Sequence, residues 1–243
     1  GSEMCIRDRG EVFLVEAIKN NWKIEYILLD NDINLSNRIV KLLNDYQNKN
    51  LKVIRANKDI LTKLSSNNSN QNLVFVSKFK KNNLPISKIP KVCVAIENIK
   101  DPGNLGTIIR TLDAFCINTC ILLDSCVDQY SRDVVRSSAG SIFSLKTVNC
   151  SSKEFISWIS NNLVYLYGTD ISAKTNYERE DWELPMCLLL GNEKLGLSDN
   201  LKNKCDKLIK IFMRGSFHSL NVSVANGILL SDIIRKNPNI KSR

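Results

Sequence analysis

From residue 92 onward the chain repeats one pattern: a short apolar run, a polar turn, then a stretch with helical spacing. Runs such as VCVAIE, TCILL and CLLL lack the apolar–polar alternation of a strand with one wet face. Strands of this kind, alternating with helices, predict a parallel sheet covered on both faces. The spacing assigns strands to residues 92–97, 119–123, 143–148, 163–168, 187–190 and 208–211. Helices fall at 105–115, 132–138, 153–161, 197–205 and from Val222 on, while the acidic stretch 177–185 reads as an exposed excursion.

Residues 10–90 read as a separate, smaller α/β unit. Helices are expected at 11–20, 35–46 and 58–64, and strands at 24–30, 51–55 and 73–77. Leu35, Ile39, Leu42, Leu43 and Tyr46 form the apolar stripe of the second helix. Residues 65–72 form a polar loop without apolar anchors, and 79–91, with its prolines and lysines, has the composition of a linker. The domain boundary therefore falls near 85–91, giving domains at 10–88 and 89–243. Residues 1–9 show no periodicity; they are read as leader or non-native residues and set apart from the fold.

Charge narrows the function. Of the net +9, residues 1–91 carry +7 and residues 92–243 only +2. Positive charge gathered in one segment suits a phosphate-backbone binder, although a lysine-rich surface without a partner would look the same. No apolar run is long enough to span a bilayer and no signal-type segment opens the chain, so a soluble cytoplasmic protein is expected. The eight cysteines include no CxxC, and His218 is the sole histidine, which leaves few ligands for zinc. Cys93, Cys116, Cys120 and Cys187 lie in apolar stretches, where free thiols behave as small hydrophobes in a reducing compartment.

Three turns at strand ends carry the polar groups that could do chemistry. The first, DPGNLG (101–106), reads as a tight turn at Pro102-Gly103 with Asn104 capping the following helix. That helix is otherwise apolar, so the charge of Arg110 calls for a partner. The second, GNEKLG (191–196), resembles a phosphate loop but lacks the Lys-Ser/Thr pair after its second glycine, and no GxGxxG occurs. The third lies between the strand ending at Ile211 and the closing helix, where Ser219, Leu220 and Asn221 sit. Helix capping alone would account for Ser219 or Asn221.

In combination and in this order, ENIKDPGNLGTIIRTLDAF, LLLGNEKLGLS and IKIFMRGSFHSLNVSVANGILL resemble the three motifs of the SpoU (TrmH-like) family of SPOUT-class RNA 2′-O-ribose methyltransferases. VVRSSAGSIF (134–143) is similar to a further family stretch, and residues 10–88 look like the ribosomal-protein-L30e-like RNA-binding domain that often precedes the catalytic one. The resemblance implies an α/β fold with a mostly parallel sheet whose carboxy-terminal segment forms a deep trefoil knot, against ordinary topology rules. It also implies S-adenosyl-L-methionine as cofactor, no metal, and a homodimer.

By motif position, Thr169, Gly191, Ile211, Met213 and Leu220 would line the cofactor pocket. Asn104, Arg110, Glu193, Ser219 and Asn221 would form the polar catalytic set. A guanidinium stays protonated, so Arg110 is read as holding the substrate phosphate and stabilising a developing alkoxide, with the proton passing elsewhere. Glu193 would fix Arg110 or Asn104, and Ser219 and Asn221 would orient the loop and the ribose. The chain departs from the family pattern at Phe212 (usually proline), Cys116 (often glycine), Leu112 (often alanine) and His218 (often acidic). The leading function is methylation of ribosomal RNA, with large-subunit 23S-type RNA favoured. The alternatives are a tRNA 2′-O-methyltransferase and a catalytically silent RNA-binding or ribosome-assembly factor.

Overall fold

The computed structural model describes residues 3–6, 10–46, 50–64, 72–78, 80, 82–84, 88–216 and 219–240. His218, most of the polar loop 65–72 and part of the linker 79–91 lie outside the described residues. The chain divides into two units, one of residues 1–81 with 139–144, the other of 82–138 with 145–243.

The first unit is built on a four-stranded mixed sheet ordered β1-β4-β2-β3. Its elements are β1 (Glu3–Ile6), α1 (Gly10–Lys19), β2 (Ile24–Asp30), α2 (Asn37–Asp45), β3 (Lys52–Ala56), α3 (Lys58–Leu64) and β4 (Leu73–Lys78). Leu14, Ile24, Ile27, Leu29 and Phe75 close its core. Trp22 is buried edge-on to Phe143, and its indole Nε1 donates to the Phe143 carbonyl at 2.8 Å. The strand β1 lies within residues that sequence reading set apart. Four residues are too few to show a period, yet they pair antiparallel with β4.

In the second unit seven strands lie in the order β7-β6-β5-β10-β8-β11-β9, every neighbouring pair parallel. The elements are β5 (Val92–Glu97), α4 (Pro102–Ala114), β6 (Thr119–Leu123), α5 (Arg132–Ser137), β7 (Lys146–Cys150), α6 (Ser152–Asn161) and β8 (Tyr165–Thr169). They continue with β9 (Thr175–Asn176), β10 (Met186–Leu190), α7 (Asp199–Lys202), β11 (Lys207–Lys210) and α8 (Val222–Lys236). β5, β6 and β10 are buried at every residue, as strands covered on both faces must be. From β5 the chain winds outward through β6 and β7, then crosses to β8 on the other side of β10. A crevice lies beyond the carboxyl ends of β8, β10 and β11, the end of the strands at which open α/β sheets collect ligands.

Several expectations shift. The strand expected at 143–148 begins at Lys146, because Ser141–Phe143 forms a 3₁₀ turn entered through Gly140 at φ 93°. The helix expected at 197–205 shortens to α7. The stretch 177–185 is no loose excursion. Trp182 is buried and donates through Nε1 to Asp232 Oδ2 at 2.8 Å, and buried Glu180 takes both an ion pair from Lys207 and the Tyr167 hydroxyl. Glu178, Asp181 and Glu183 are exposed as the acidic composition suggests, and Glu180 alone turns inward onto partners. The cysteines follow expectation where buried: Cys93, Cys120 and Cys187 lie in the core as free thiols.

Cys116 stands at a helix end whose backbone favours glycine. α4 ends in a Schellman motif, in which Cys116 N–H donates to Asp113 O at 3.0 Å and Ile117 N–H to Leu112 O at 2.9 Å. The residue between, Cys116, must adopt φ 58°, the left-handed region where a Cβ is penalised. Cys116→Gly is therefore expected to stabilise the protein by about 1 kcal/mol, net of glycine's larger unfolded-state entropy. Urea melts would register this as a higher midpoint with an unchanged slope; an unchanged or lower midpoint would contradict the strain argument.

Candidate functional site

The crevice holds a cavity of about 380 Å³ within the second unit. The end of β8 supplies Thr169, Asp170 and Ile171, the loop after β10 supplies residues 190–197, and the segment after β11 supplies Ile211, Met213, Ser219 and Leu220. Val222, Ala225 and Leu229 of α8 close its floor. All five residues assigned from sequence to the cofactor pocket (Thr169, Gly191, Ile211, Met213 and Leu220) line it, as do Glu193 and Ser219 of the polar set.

The loop after β10 turns back on itself, with Asn192 and Gly196 exchanging backbone hydrogen bonds of 3.0 and 2.9 Å. This brings the chain so close at Gly191 that a Cβ there would stand 2.3 Å from the Gly196 carbonyl carbon and 2.4 Å from the Leu197 nitrogen. Only glycine fits. Inside the turn, Asn192 Oδ1 accepts from the amides of Lys194 (2.9 Å) and Leu195 (3.1 Å), and Asn192 Nδ2 donates to the Asn98 carbonyl at 2.8 Å. Sequence reasoning passed over Asn192. The signal was available: asparagine directly after a strand commonly caps its own turn.

The loop tip points its carboxylate at α4. Glu193 Oε1 accepts from Asn104 Nδ2 and from the Asp101 amide, each at 3.3 Å. Asn104 Oδ1 in turn accepts from Asn221 Nδ2 at 2.8 Å. Asn221 also caps α8, its Oδ1 taking the amides of Ser223 and Val224 at 2.9 and 3.4 Å. The capping and the site readings of Asn221 both hold, one on each end of the amide. Asn104 is not a cap. Pro102 occupies the first position of α4, and Asp101 Oδ1 caps it by accepting the Asn104 amide at 2.7 Å. That frees the Asn104 side chain to bridge the other two loops.

Arg110 is placed otherwise than its apolar neighbours suggested. It lies on the exposed face of α4 with Thr107 and Ala114, while Leu105, Ile108, Ile109 and Leu112 point inward. Its charge is solvated, so no buried partner is required, and among the described residues it forms no ion pair and lines no part of the cavity.

One wall of the cavity is ionic. Lys202 Nζ lies 2.7 Å from Asp170 Oδ2, and Asp170 Oδ1 accepts from the Ser172 amide at 2.7 Å and hydroxyl at 2.6 Å. Burial works to raise the Asp170 pKa, but the Lys202 and Ser172 hydrogen bonds outweigh it and hold the carboxyl below its usual range. The bond to Asp170 raises Lys202. Burial pushes the thiols of Cys150 and Cys205 up to about 12, so neither offers a thiolate at neutral pH. Among the described residues no cluster of His, Cys, Asp and Glu could hold a metal ion.

Residues 91–231 match the SpoU rRNA Methylase family, and residues 10–82 match a family described as RNA 2′-O ribose methyltransferase substrate binding. The 23S rRNA (uridine(2479)-2′-O)-methyltransferase of Streptomyces viridochromogenes is 30% identical over 231 residues, covering 90% of this chain and 79% of that protein. The 23S rRNA (guanosine(2553)-2′-O)-methyltransferase RlmP of Bacillus subtilis is 26% identical, covering 91% and 85%. The crystal structure of the SpoU methyltransferase AviRb from Streptomyces viridochromogenes, in complex with the cofactor AdoMet, superposes with a TM-score of 0.84 at 28% identity, covering 98% and 92%.

Two outcomes follow from this geometry. Gly191→Ala should cost about 1–3 kcal/mol, since backbone on both sides of the loop must give way; stability equal to wild type would mean the loop closes less tightly. A depressed folded-state pKa makes the Asp170 carboxylate stabilising above the unfolded value of about 3.9. That contribution is lost as pH falls through the lower folded value. Asp170→Asn should cost about 1–2 kcal/mol at pH 7, and the cost should shrink as the pH falls below about 3.9, as read from urea midpoints of the two proteins across that range.

Proposed function

This chain belongs to the SpoU rRNA methylase family, and on that premise we propose that it transfers a methyl group from S-adenosyl-L-methionine to a ribose 2′-oxygen of ribosomal RNA. The observation that carries the reading is the joining of Asn104, Glu193 and Asn221 beside a ligand-sized cavity. A silent RNA-binding factor would have no use for that set.

The cavity fits the cofactor by its chemistry. Leu190, Leu197, Ile209, Ile211 and Leu229 offer an apolar slot for a purine, and Asp170, Lys202 and Ser219 give polar walls for hydroxyl, ammonium and carboxylate groups. When bound, S-adenosyl-L-methionine supplies an electrophilic methyl carbon on a sulfonium. The protein's own part is placement. In-line transfer needs the attacking oxygen held on the far side of that carbon, and positioning accounts for most of the acceleration. Glu193 holds Asn104, Asn104 holds Asn221, and Asn221 fixes the start of α8, so the cavity mouth keeps one shape. Arg110, open to solvent on α4, grips the phosphate of the incoming nucleotide and stabilises charge on its 2′-oxygen. Ser219 at the rim orients the ribose.

The remaining readings rest on family membership and charge. Residues 10–88 form an L30e-like RNA-binding domain, a reading supported by the substrate-binding match of residues 10–82 and by the positive excess of residues 1–91. The catalytic domain, residues 89–243, carries the trefoil knot and pairs with a second copy in a cytoplasmic homodimer. No described helix is long and apolar enough to cross a membrane.

Incubating the protein with methyl-labelled S-adenosyl-L-methionine and total bacterial RNA tests the whole. Label is expected in ribosomal RNA at a 2′-O position. Arg110→Ala should reduce the rate by about two orders of magnitude while calorimetry shows cofactor binding unchanged. Label confined to transfer RNA would redirect the substrate, and absence of cofactor binding would end the reading.

A further inference from the structure

Phe212 is 61% exposed, whereas the other described phenylalanines are buried or half-buried. Leaving a large ring in water forgoes the favourable free energy that burying it would return. No other ring is stacked on it among the described residues.

Its surroundings indicate what the ring is for. Ile211 and Met213, on either side in sequence, line the cavity, while the Phe212 ring between them is outside its lining and open to solvent. One residue further out on each side is a cation: Lys210, which also lines the cavity, and exposed Arg214. The segment KIFMR thus offers one apolar face between two positive charges. An aromatic ring flanked by cations is the chemistry that holds single-stranded nucleic acid, the ring taking a base and the cations the phosphates on either side. Sequence-specific RNA recognition targets single-stranded loops and ends, whose unstacked bases lie on aromatic side chains.

We propose that Phe212 stacks on an unpaired RNA base next to the nucleotide being methylated, with Lys210 and Arg214 on the flanking phosphates, and so helps to set which RNA site is accepted. This rests on the reading of the chain as an RNA methyltransferase.

The test uses the full-length protein with Phe212→Ala, Phe212→Pro and Phe212→Tyr. Deproteinised bacterial ribosomal RNA is titrated as substrate, and a single-stranded RNA oligonucleotide carrying 2-aminopurine reports stacking directly. Ala and Pro should raise the KM for RNA about tenfold or more, with kcat and the Kd for S-adenosyl-L-methionine unchanged. Tyr should keep the wild-type KM. Wild type and Tyr should quench 2-aminopurine fluorescence, and Ala should not. An unchanged KM with Ala, or failure of Tyr to restore it, overturns the proposal. So does a fall in cofactor affinity without a change in KM for RNA, which would make Phe212 a shaper of the cofactor loop. A change of oligomeric state in sedimentation with Ala also overturns it, placing the ring between two copies of the chain. If wild type labels no RNA at all, the methyltransferase reading fails on its own, and the quenching result still decides whether Phe212 stacks a base.

Discussion

One carboxylate and two amides hold the catalytic unit in shape. Glu193 reaches Asn104 across 89 residues of sequence, and Asn104 reaches Asn221 across 117. Each bond alone is modest, worth about 1 kcal/mol net of the water it replaces. Their effect is geometric. The loop after β5, the loop after β10 and the entry to α8 leave the sheet near one another, and without cross-links each would move on its own strand end. Joined, they define a single rim, and every polar group assigned to the reaction is on that rim or fastened to it, except Arg110.

The parts of this architecture that sequence revealed are those where one physical demand dominates. β5, β6 and β10 were legible because a strand buried on both faces must be apolar throughout. The five positions assigned to a cofactor pocket come from family motifs rather than from composition, and all five line one cavity. Where two demands compete, the reading slipped. The start of α4 was set at Leu105 because Pro102 and Gly103 suggest a turn, but proline is equally at home at the first helical position. Arg110 was judged by its sequence neighbours, whereas on a helix the neighbours that count lie three and four residues away, and Thr107 and Ala114 share its exposed face. The acidic run near Trp182 was judged by composition and turned out to be pinned by Asp232 and Lys207.

Departures from the family pattern fall into two kinds. Cys116 sits where backbone conformation favours glycine, and the chain tolerates the strain because the Schellman bonds around it are complete. Phe212 sits where no such left-handed constraint acts, and its ring is open to solvent. The first is a defect absorbed by packing. The second adds contact area where a substrate must arrive.

The floor of the cavity has a further consequence. Val222, Ala225 and Leu229 belong to α8, which follows every strand of the sheet in the order of synthesis. A chain still emerging from the ribosome can complete the sheet and all the preceding loops and yet have no bottom to its pocket. The last wall of the pocket therefore arrives only when α8 docks, and a chain that stops before Val222 lacks all three of these side chains.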